Sequence, residues 1–384
     1  MWLTSAPVAQ SDCSKSRSHK AEGKLLSMRS ILLDLLQLFF RMVPHPTRPR
    51  LIAIGNPDSK SPVLVTTNSS LTVRRLQRAL RNQNCFLLVA PAEGINVWCG
   101  SVGGHFTIES IISIIKTSGI ERLVEHRRLI LPQLCAPAIS SRDLIKRVGW
   151  SAQFGPIRAQ DIPEYFRNGK RVTPAMTEIR YSTKDRLEMA VAMSGSIIVR
   201  YSIFPILFWR LWGLACFSAS VISSSVLIHV FNERIPGSAD TRKSLSTCAL
   251  SFPLLASMTW SVNALSLTHL LSSAAIILGA SYLVGNAYSG YAPFKQCSYS
   301  KQFFGYKPLK IDIVAEECTG CTLCEWVCPV NCFDAVPLEP KGRVFVMARL
   351  SDCVECAACL VQCPTNAVVD LLADVVPGEH ACCS

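Results

Sequence analysis

Acidic residues are scarce over most of this sequence, which has 39 Lys and Arg residues but only 27 Asp and Glu residues, a net charge of +12. From Ile311 onward the balance reverses, with 3 basic and 11 acidic residues (net −8), against 36 basic and 16 acidic residues (net +20) before it. No nucleic-acid recognition motif accompanies the basic charge, which argues against a nucleic-acid partner. The opposite charges favour internal docking, or a basic rim at a membrane surface.

A cleavable signal sequence is also lacking, because residues 1–23 are polar, rich in Ser and Lys, and without an apolar core. We expect this segment to be disordered. The 18 cysteines could form a disulfide scaffold, but eight of them fall into two tight runs typical of metal ligands. Because iron–sulfur ligation needs free thiolates, this pattern indicates a reducing compartment.

Residues 24–43 have apolar side chains at helical spacing, which predicts an amphipathic or interfacial helix. The stripe consists of Leu25, Met28, Ile31, Leu32, Leu35, Leu36 and Phe39. Such a helix either docks on the body of the protein or anchors it at a membrane, and the pattern favours docking. Three prolines at 44, 46 and 49 then break the chain, so that residues 1–49 form a tail that precedes the first domain.

Residues 50–185 alternate short apolar runs with amphipathic stretches, which predicts an α/β domain with a parallel sheet covered on both faces. Four runs are typical of buried strands: 51–55, 62–66, 85–90 and 129–132. Two stretches between them, 71–83 and 105–119, are typical of helices. In sheets of this kind, ligands bind where the strands end.

Residues 189–285 contain apolar runs long enough to cross about 30 Å of hydrocarbon. We predict an all-α transmembrane bundle of about four helices, and the alternative is a large buried helical core. The four runs are 189–209, which contains Arg200, then 211–231, 245–262 and 264–285. Residues 286–310 follow as a linker, and residues 311–384 form the last domain.

Two cysteine runs, each ending in Cys-Pro, predict an α+β ferredoxin domain of the bacterial type with two 4Fe-4S clusters. In this motif three closely spaced thiolates hold one cluster, and the fourth cysteine of each run ligates the other cluster. Cluster one therefore takes Cys318, Cys321, Cys324 and Cys363. Cluster two takes Cys353, Cys356, Cys359 and Cys328. The alternative, a zinc site, is disfavoured by the completeness of both runs.

Further cysteines stand outside these runs. Cys332 follows the first run and is interpreted as a buried small residue rather than a ligand. The sequence ends with Cys382, Cys383 and one serine. This pair is either incidental or a mobile site for soft, thiophilic metal ions, which paired thiolates prefer.

Cys99 lies in the segment GINVWCGSVGGHFT (94–107), between a predicted strand and a predicted helix. A thiol at such a turn lies near a helix N-terminus, which favours its thiolate form. Taken alone, this position fits a packed small residue as well as a reactive thiol.

The stretch Asn96-Val97-Trp98-Cys99 resembles the cap helix of the mercury-methylating corrinoid proteins. The stretches 54–66, 129–139 and 154–166 are similar to the same family, whose partner is a two-cluster ferredoxin ending in a cysteine pair. This chain would therefore join both proteins in one polypeptide. The first domain is also similar to the corrinoid iron–sulfur proteins of carbon monoxide dehydrogenase/acetyl-CoA synthase. After the cysteine the family has Ala-Ala-Gly-Lys, where this sequence has Gly100-Ser101-Val102-Gly103.

The resemblance implies that Cys99 is the lower axial ligand of a corrinoid cobalt, with Asn96, Val97 and Trp98 shaping the cap beneath the corrin. It implies a corrinoid-dependent methyltransferase that methylates Hg(II), with a methyl-corrinoid or methyl-folate donor and an external electron donor. The clusters would reduce the cobalt, and Cys382 and Cys383 would handle the metal ion.

Two other functions remain open. One is a corrinoid methyl carrier with a different acceptor, close to acetyl-CoA pathway chemistry, which the altered residues 100–103 favour. The other is a membrane electron-transfer protein without corrinoid. Because the first and last domains must meet, both are expected on the cytoplasmic side of the cytoplasmic membrane, joined by an even number of spans.

Overall fold

The computed structural model describes residues 32–41, 43–179, 182–231, 267–287, 309–340 and 342–372, with single positions 234, 246 and 248–250. Its first part is an α/β domain. The strands are β1 (Arg50–Ile54), β2 (Val63–Thr67), β3 (Cys85–Ala90), β4 (Arg128–Pro132) and β5 (Ser151–Gly155). The helices are α1 (32–39), α2 (Ser70–Ala79), α3 (Val97–Val102), α4 (Ile108–Ser118), α5 (Ser141–Val148), α6 (Ile162–Arg167) and α7 (Pro174–Thr177).

The five strands form one sheet in the order β1-β3-β2-β4-β5. The pairs β2–β3, β2–β4 and β4–β5 are parallel, as predicted. Strand β1 corrects the prediction, because it pairs with β3 in the antiparallel direction. A parallel crossover takes a dozen or more residues, and only residues 55–62 connect β1 to β2, so the chain simply turns back.

Alternate strand residues are buried on opposite faces of the sheet, and helices cover both faces. One apolar cluster joins Val63, Val65 and Leu88 to the isoleucines of α4. The other joins Leu64 and Leu87 to α2 and α6. Burial of consecutive residues on both faces explains why these strands are continuous apolar runs. Strand β5 (SAQFG) was missed because it is an edge strand without such a run.

Helix α1 packs on the α/β domain through its polar side. Asp34 is 8% exposed and forms ion pairs with Arg74 and Arg78 of α2. Leu38, one turn further on, is also buried. Residues 32–41 therefore belong to the first domain rather than to a separate tail, whereas residues 1–31 lie outside the described part.

Three longer helices follow: α8 (Thr183–Tyr201), α9 (Ile203–Phe231, with a break at Arg210) and α10 (Leu267–Ala287). Among the described residues, only Arg210–Phe231 is long and apolar enough to cross a membrane. The predicted bundle of four spans is therefore not supported. The predicted span 189–209 is divided at Ser202, and the first turns of α8 form ion pairs with the α/β domain, Arg158–Asp185 and Arg75–Glu188. Most of 245–262 lies outside the described residues.

The C-terminal domain contains β6 (Ile311–Ile313), α11 (Leu323–Val327), β7 (Phe333–Leu338), β8 (Gly342–Met347), α12 (Ala358–Gln362) and β9 (Val368–Asp370). Strand β6 pairs with β9, and β7 pairs with β8, both antiparallel. Each cysteine run begins in a loop, passes through one short helix and ends in an extended Cys-Pro. The apolar core consists largely of the cysteines themselves with Phe333 and Phe345.

Candidate functional site

Cys99 lies on α3, at the carboxyl edge of the sheet after β3. The side chain of Asn96 caps this helix by accepting a hydrogen bond from the Cys99 backbone N–H at 3.1 Å. Val97 is buried, Trp98 is half-buried and Cys99 is exposed. Glycine suits position 100 of this helix because the backbone there packs closely on Phe106. A Cβ at this position would lie 3.2 Å from the Cβ of Phe106. The capping residues are thus fixed, and the thiol is left accessible.

The loop before α3 is held by Asn68, which sequence reasoning missed. Its side-chain oxygen accepts hydrogen bonds from the backbone N–H groups of Ala92 and Gly94, both at 2.9 Å, and its amide donates to the carbonyl of Thr47 at 3.0 Å. Asn68 is 5% exposed. Gly94 has φ +80°, and a Cβ there would meet the backbone of Pro46 at 2.5 Å. The sequence feature that could have indicated this role is the position of Asn68 directly after a buried strand.

We expect Asn68→Ala to lower the free energy of unfolding by about 1–3 kcal/mol, because two buried N–H groups lose their acceptor. The loop that carries Asn96 and Cys99 should loosen with it. Denaturant unfolding gives the first effect, and amide exchange at Ala92 and Gly94 gives the second. The control is Asn56→Ala, at an exposed position whose side chain does not anchor this loop. Unchanged exchange at both amides would contradict the anchoring role.

Buried polar atoms without partners occur near the carboxyl ends of β2 and β4. The hydroxyl oxygens of Thr66 and Thr67 and the side-chain oxygen of Gln133 are buried and make no hydrogen bond among the described residues. Helix α3 packs against β2 and against the turn Gln133–Cys135 that follows β4. Strand order reverses between β2 and β4, which is where ligands enter sheets of this topology. Unsatisfied buried polar groups are costly, so this edge fits a bound group with polar substituents, as a corrinoid has.

One pocket in the C-terminal domain is lined by all four cysteines predicted for cluster two. These are Cys328, Cys353, Cys356 and Cys359. Apolar residues, including Ile311, Phe333 and Met347, complete the wall. Four cysteine thiols in an apolar setting are the donor set that a 4Fe-4S cluster requires. The pocket therefore fits cluster two.

The cysteines predicted for cluster one also come together. Burial, and after it the nearby charges of Cys321, Cys318 and Cys363, raise the pKa of the Cys324 thiol to about 12. Cys363 thus lies beside the first run although it belongs to the second. Cys321 is exposed, whereas Cys318, Cys324 and Cys363 are buried. In the described part of the chain no three His, Cys, Asp or Glu side chains are placed so that they could hold a single metal ion.

Cys332 is buried in the wall of the pocket assigned to cluster two, as expected for a small core residue. Its thiol hydrogen-bonds to Cys328 and Cys353, which lowers the pKa of each of these two thiols. The same bonds raise the pKa of Cys332. Burial raises the pKa of Cys356 to about 12. A thiol that stays protonated between two thiolates can donate its one S–H to either of them, which fits a hydrogen-bond donor beside the cluster better than a cluster ligand.

The two domains meet through α12 and the loop after β4. The amide nitrogen of Gln362, 4% exposed, donates to the carbonyls of Ala136 at 2.7 Å and Ile139 at 2.8 Å. Arg142 donates to the carbonyl of Pro364 at 2.9 Å, and the Ile179 N–H donates to that of Pro329 at 2.8 Å. Both Cys-Pro corners therefore contact the α/β domain.

An apolar contact completes this interface, in which Ala136, Val327 and Ala358 pack together against Phe154 and Cys356. Gln133–Cys135, which precedes Ala136, also contacts α3. The predicted docking is thus present, although not as a broad charge contact. Cys382 and Cys383 lie outside the described residues.

The fold and these sites define a two-part iron–sulfur protein, in which a dicluster ferredoxin domain is docked on an α/β domain with an exposed thiol at the carboxyl edge of its sheet. Comparison with known families agrees with both parts. Residues 33–166 match the family described as CO dehydrogenase/acetyl-CoA synthase delta subunit. Residues 317–367 match the 4Fe-4S dicluster domain.

Curated relatives match about a third of this chain. The acetyl-CoA decarbonylase/synthase complex subunit gamma of Methanopyrus kandleri is 36% identical over 124 residues, which is 32% of this chain and 26% of that protein. The corrinoid/iron-sulfur protein large subunit of Moorella thermoacetica is 30% identical over 127 residues, 33% of this chain and 28% of that protein. The chain thus spans about a quarter of the length of the relatives it matches. The α/β domain is similar to part of the corrinoid iron–sulfur subunits.

Proposed function

We propose that this protein is a membrane-bound, corrinoid-dependent methyltransferase with a built-in iron–sulfur reductant. The observation that carries the proposal is the position of Cys99, exposed at the carboxyl edge of the sheet on a helix that contacts the turn next to the docked ferredoxin domain. When bound there, a corrinoid would supply a cobalt atom that accepts a methyl group and passes it on. The similarity of residues 33–166 to corrinoid iron–sulfur subunits supports this cofactor.

The residues of this chain would then have distinct tasks. Cys99 would hold the cobalt through its sulfur, and such a ligand would tune the metal by donating electron density. Asn96 and Asn68 hold the helix and the loop that carry it. Thr66, Thr67 and Gln133 offer free polar atoms to the periphery of the bound group. The eight cluster cysteines hold an electron relay that an external donor would charge.

For the methyl acceptor we propose Hg(II), with a methyl-corrinoid protein or methyl-folate as donor. Two features support it: the Asn96–Cys99 stretch with an accessible thiol, and the terminal Cys382–Cys383 pair, whose softness suits a thiophilic ion. Cys382 and Cys383 would deliver the ion or remove the product. Both domains would face the cytoplasm, so that the contact between them is kept.

A methyl carrier close to acetyl-CoA pathway chemistry is the second candidate. It is favoured by the names of the matching relatives, which include subunits of an acetyl-CoA decarbonylase/synthase complex. The two candidates share the corrinoid and the clusters, and differ in the acceptor.

The deciding experiment is anaerobic purification from cells supplied with corrinoid, with cobalt, iron and sulfide analysis, followed by methyl-transfer assays. We expect cobalt together with iron and sulfide, and methylmercury as product from Hg(II). Transfer to a carbonyl-derived or thiol acceptor, but not to Hg(II), would establish the second candidate. Iron and sulfide without cobalt would leave an electron-transfer protein and refute both.

The domain contact can be tested through Gln362. We expect Gln362→Leu to retain both clusters but to slow reduction of the bound corrinoid, because the carbonyls of Ala136 and Ile139 lose their buried donor, at a cost of about 1–3 kcal/mol. Stopped-flow absorbance under dithionite measures the reduction. Gln153→Leu, an exposed glutamine that bonds only within the α/β domain, is the matched control. Equal reduction rates in both variants would show that the docked geometry is not used.

A further inference from the structure

Helix α1 has its polar and apolar sides reversed relative to a water-exposed surface helix. Asp34 and Gln37 point into the protein, where Asp34 pairs with Arg74 and Arg78, and Gln37 accepts from Ser70 at 3.0 Å. The opposite side carries only leucine and phenylalanine side chains. Leu32, Leu33, Leu35 and Leu36 are 47–59% exposed. A helix in water normally presents charged side chains outward, so this apolar surface is suited to contact with apolar material rather than with water.

A second exposed apolar surface lies nearby, at the start of α9. Five of its first nine residues are 53–78% exposed: Ile203, Phe204, Leu207, Phe208 and Leu211. The two surfaces are joined by α8, because the backbone carbonyl of Phe39 packs against Gly195, where a Cβ would not fit. Gly195 and Ile203 are eight residues apart, or about 12 Å along a helix.

The candidate span begins at the same place. Helix α9 breaks at Arg210, with φ 55° and ψ −145°, and Arg210–Phe231 follows as the described helix that could cross a bilayer. Arg41, two residues after α1, and Arg210, next to Leu211, are exposed. Arginine beside exposed leucine and phenylalanine is the composition of helices that lie in the plane of an anionic bilayer surface.

We propose that α1 lies in the headgroup region of an anionic phospholipid bilayer, with Leu32, Leu33, Leu35 and Leu36 inserted and Asp34 holding it to the α/β domain. Helix α1 and the start of α9 together form one lipid-facing surface. This would orient the α/β domain and its docked ferredoxin at a fixed height above the membrane. The inference rests on the membrane location in the proposed function, and is independent of its corrinoid chemistry.

The test uses the full-length protein reconstituted in vesicles of phosphatidylethanolamine and phosphatidylglycerol. A photo-crosslinking residue is introduced as Leu36→p-benzoylphenylalanine, and in a matched variant as Ile145→p-benzoylphenylalanine. Leu36 and Ile145 are exposed by 47% and 51%, but Ile145 lies on α5, away from α1. After irradiation, we expect lipid adducts by mass spectrometry at position 36 and none at position 145.

Two controls separate this inference from the proposed function. Flotation of the vesicles reports whether the chain is in the membrane, and cobalt content reports corrinoid binding. Lipid adducts at position 36 support the in-plane helix whether or not cobalt is bound. A chain that floats with the vesicles but gives only protein crosslinks at position 36, to itself or to a second copy, would overturn the in-plane helix and leave the membrane location standing. A chain that does not float would overturn both.

Discussion

Replacing Cys99 with alanine is expected to abolish methyl transfer while both iron–sulfur clusters remain. The proposed cobalt ligand would be lost, and alanine offers no donor atom in its place. The clusters should persist because Cys99 lies on α3 of the α/β domain, whereas every proposed cluster ligand lies in the C-terminal domain. Helix α3 should also persist, since its Asn96 cap accepts from the backbone of residue 99 and not from the thiol. Methylmercury formation and the corrin spectrum measure the first effect, and iron and sulfide analysis the second.

The matched control is Cys135→Ala, in the same domain. Cys135 is fully buried, and this burial raises the pKa of its thiol, so it stays neutral and cannot serve as an axial thiolate. We expect this variant to keep its corrin spectrum and its turnover. Turnover at the wild-type rate in Cys99→Ala, or an equal loss in both variants, would remove the assignment of Cys99.

The α/β fold could be predicted because its signals are local. The strands predicted at 85–90 and 129–132 match β3 and β4 to within one residue, since strands buried on both faces must be continuous apolar runs. The edge strand β5 and the antiparallel direction of β1 depend on pairing across the sheet, which no local pattern encodes. The same limit applies to Asn68, whose partners are 24 and 26 residues away.

The parts of the site that could be predicted are those in which ligand chemistry fixes the spacing of residues in the sequence. The parts that depend on contacts between distant residues could not be predicted. The two cysteine runs bring the predicted ligands together because a cubane demands that spacing. The domain interface was expected from opposite net charges, but the structure builds it from buried hydrogen bonds by Gln362, 223 and 226 residues away from its acceptors. The apolar runs after residue 189 were assigned to four spans, yet hydropathy alone cannot tell that α8 starts with residues paired to the α/β domain.

Exchange of the fourth cysteine between the clusters leads to a second large effect. We expect Cys363→Ala and Cys318→Ala each to lose one cluster, and the same one, so that each variant retains about half of the iron. The reason is that Cys363 lies close enough to Cys324 for its charge to raise the pKa of that thiol, as the charges of Cys318 and Cys321 do. In the sequence, however, Cys363 belongs to the run of Cys353, Cys356 and Cys359. Iron and sulfide analysis counts the clusters, and electron paramagnetic resonance of the reduced protein identifies the one that remains.

Double variants decide between this crossed arrangement and one cluster per run. If the ligands are crossed, Cys318→Ala/Cys363→Ala should retain as much iron as either single variant, whereas Cys353→Ala/Cys363→Ala should lose both clusters. The surviving cluster in the first double variant also reports that the domain is still folded, since its core is built from cysteines of both runs. If each run held its own cluster, Cys353→Ala/Cys363→Ala would keep half of the iron instead. A crossed arrangement would tie both runs together, so that loss of either Cys-Pro corner would also weaken the contact with the α/β domain that the proposed electron transfer needs.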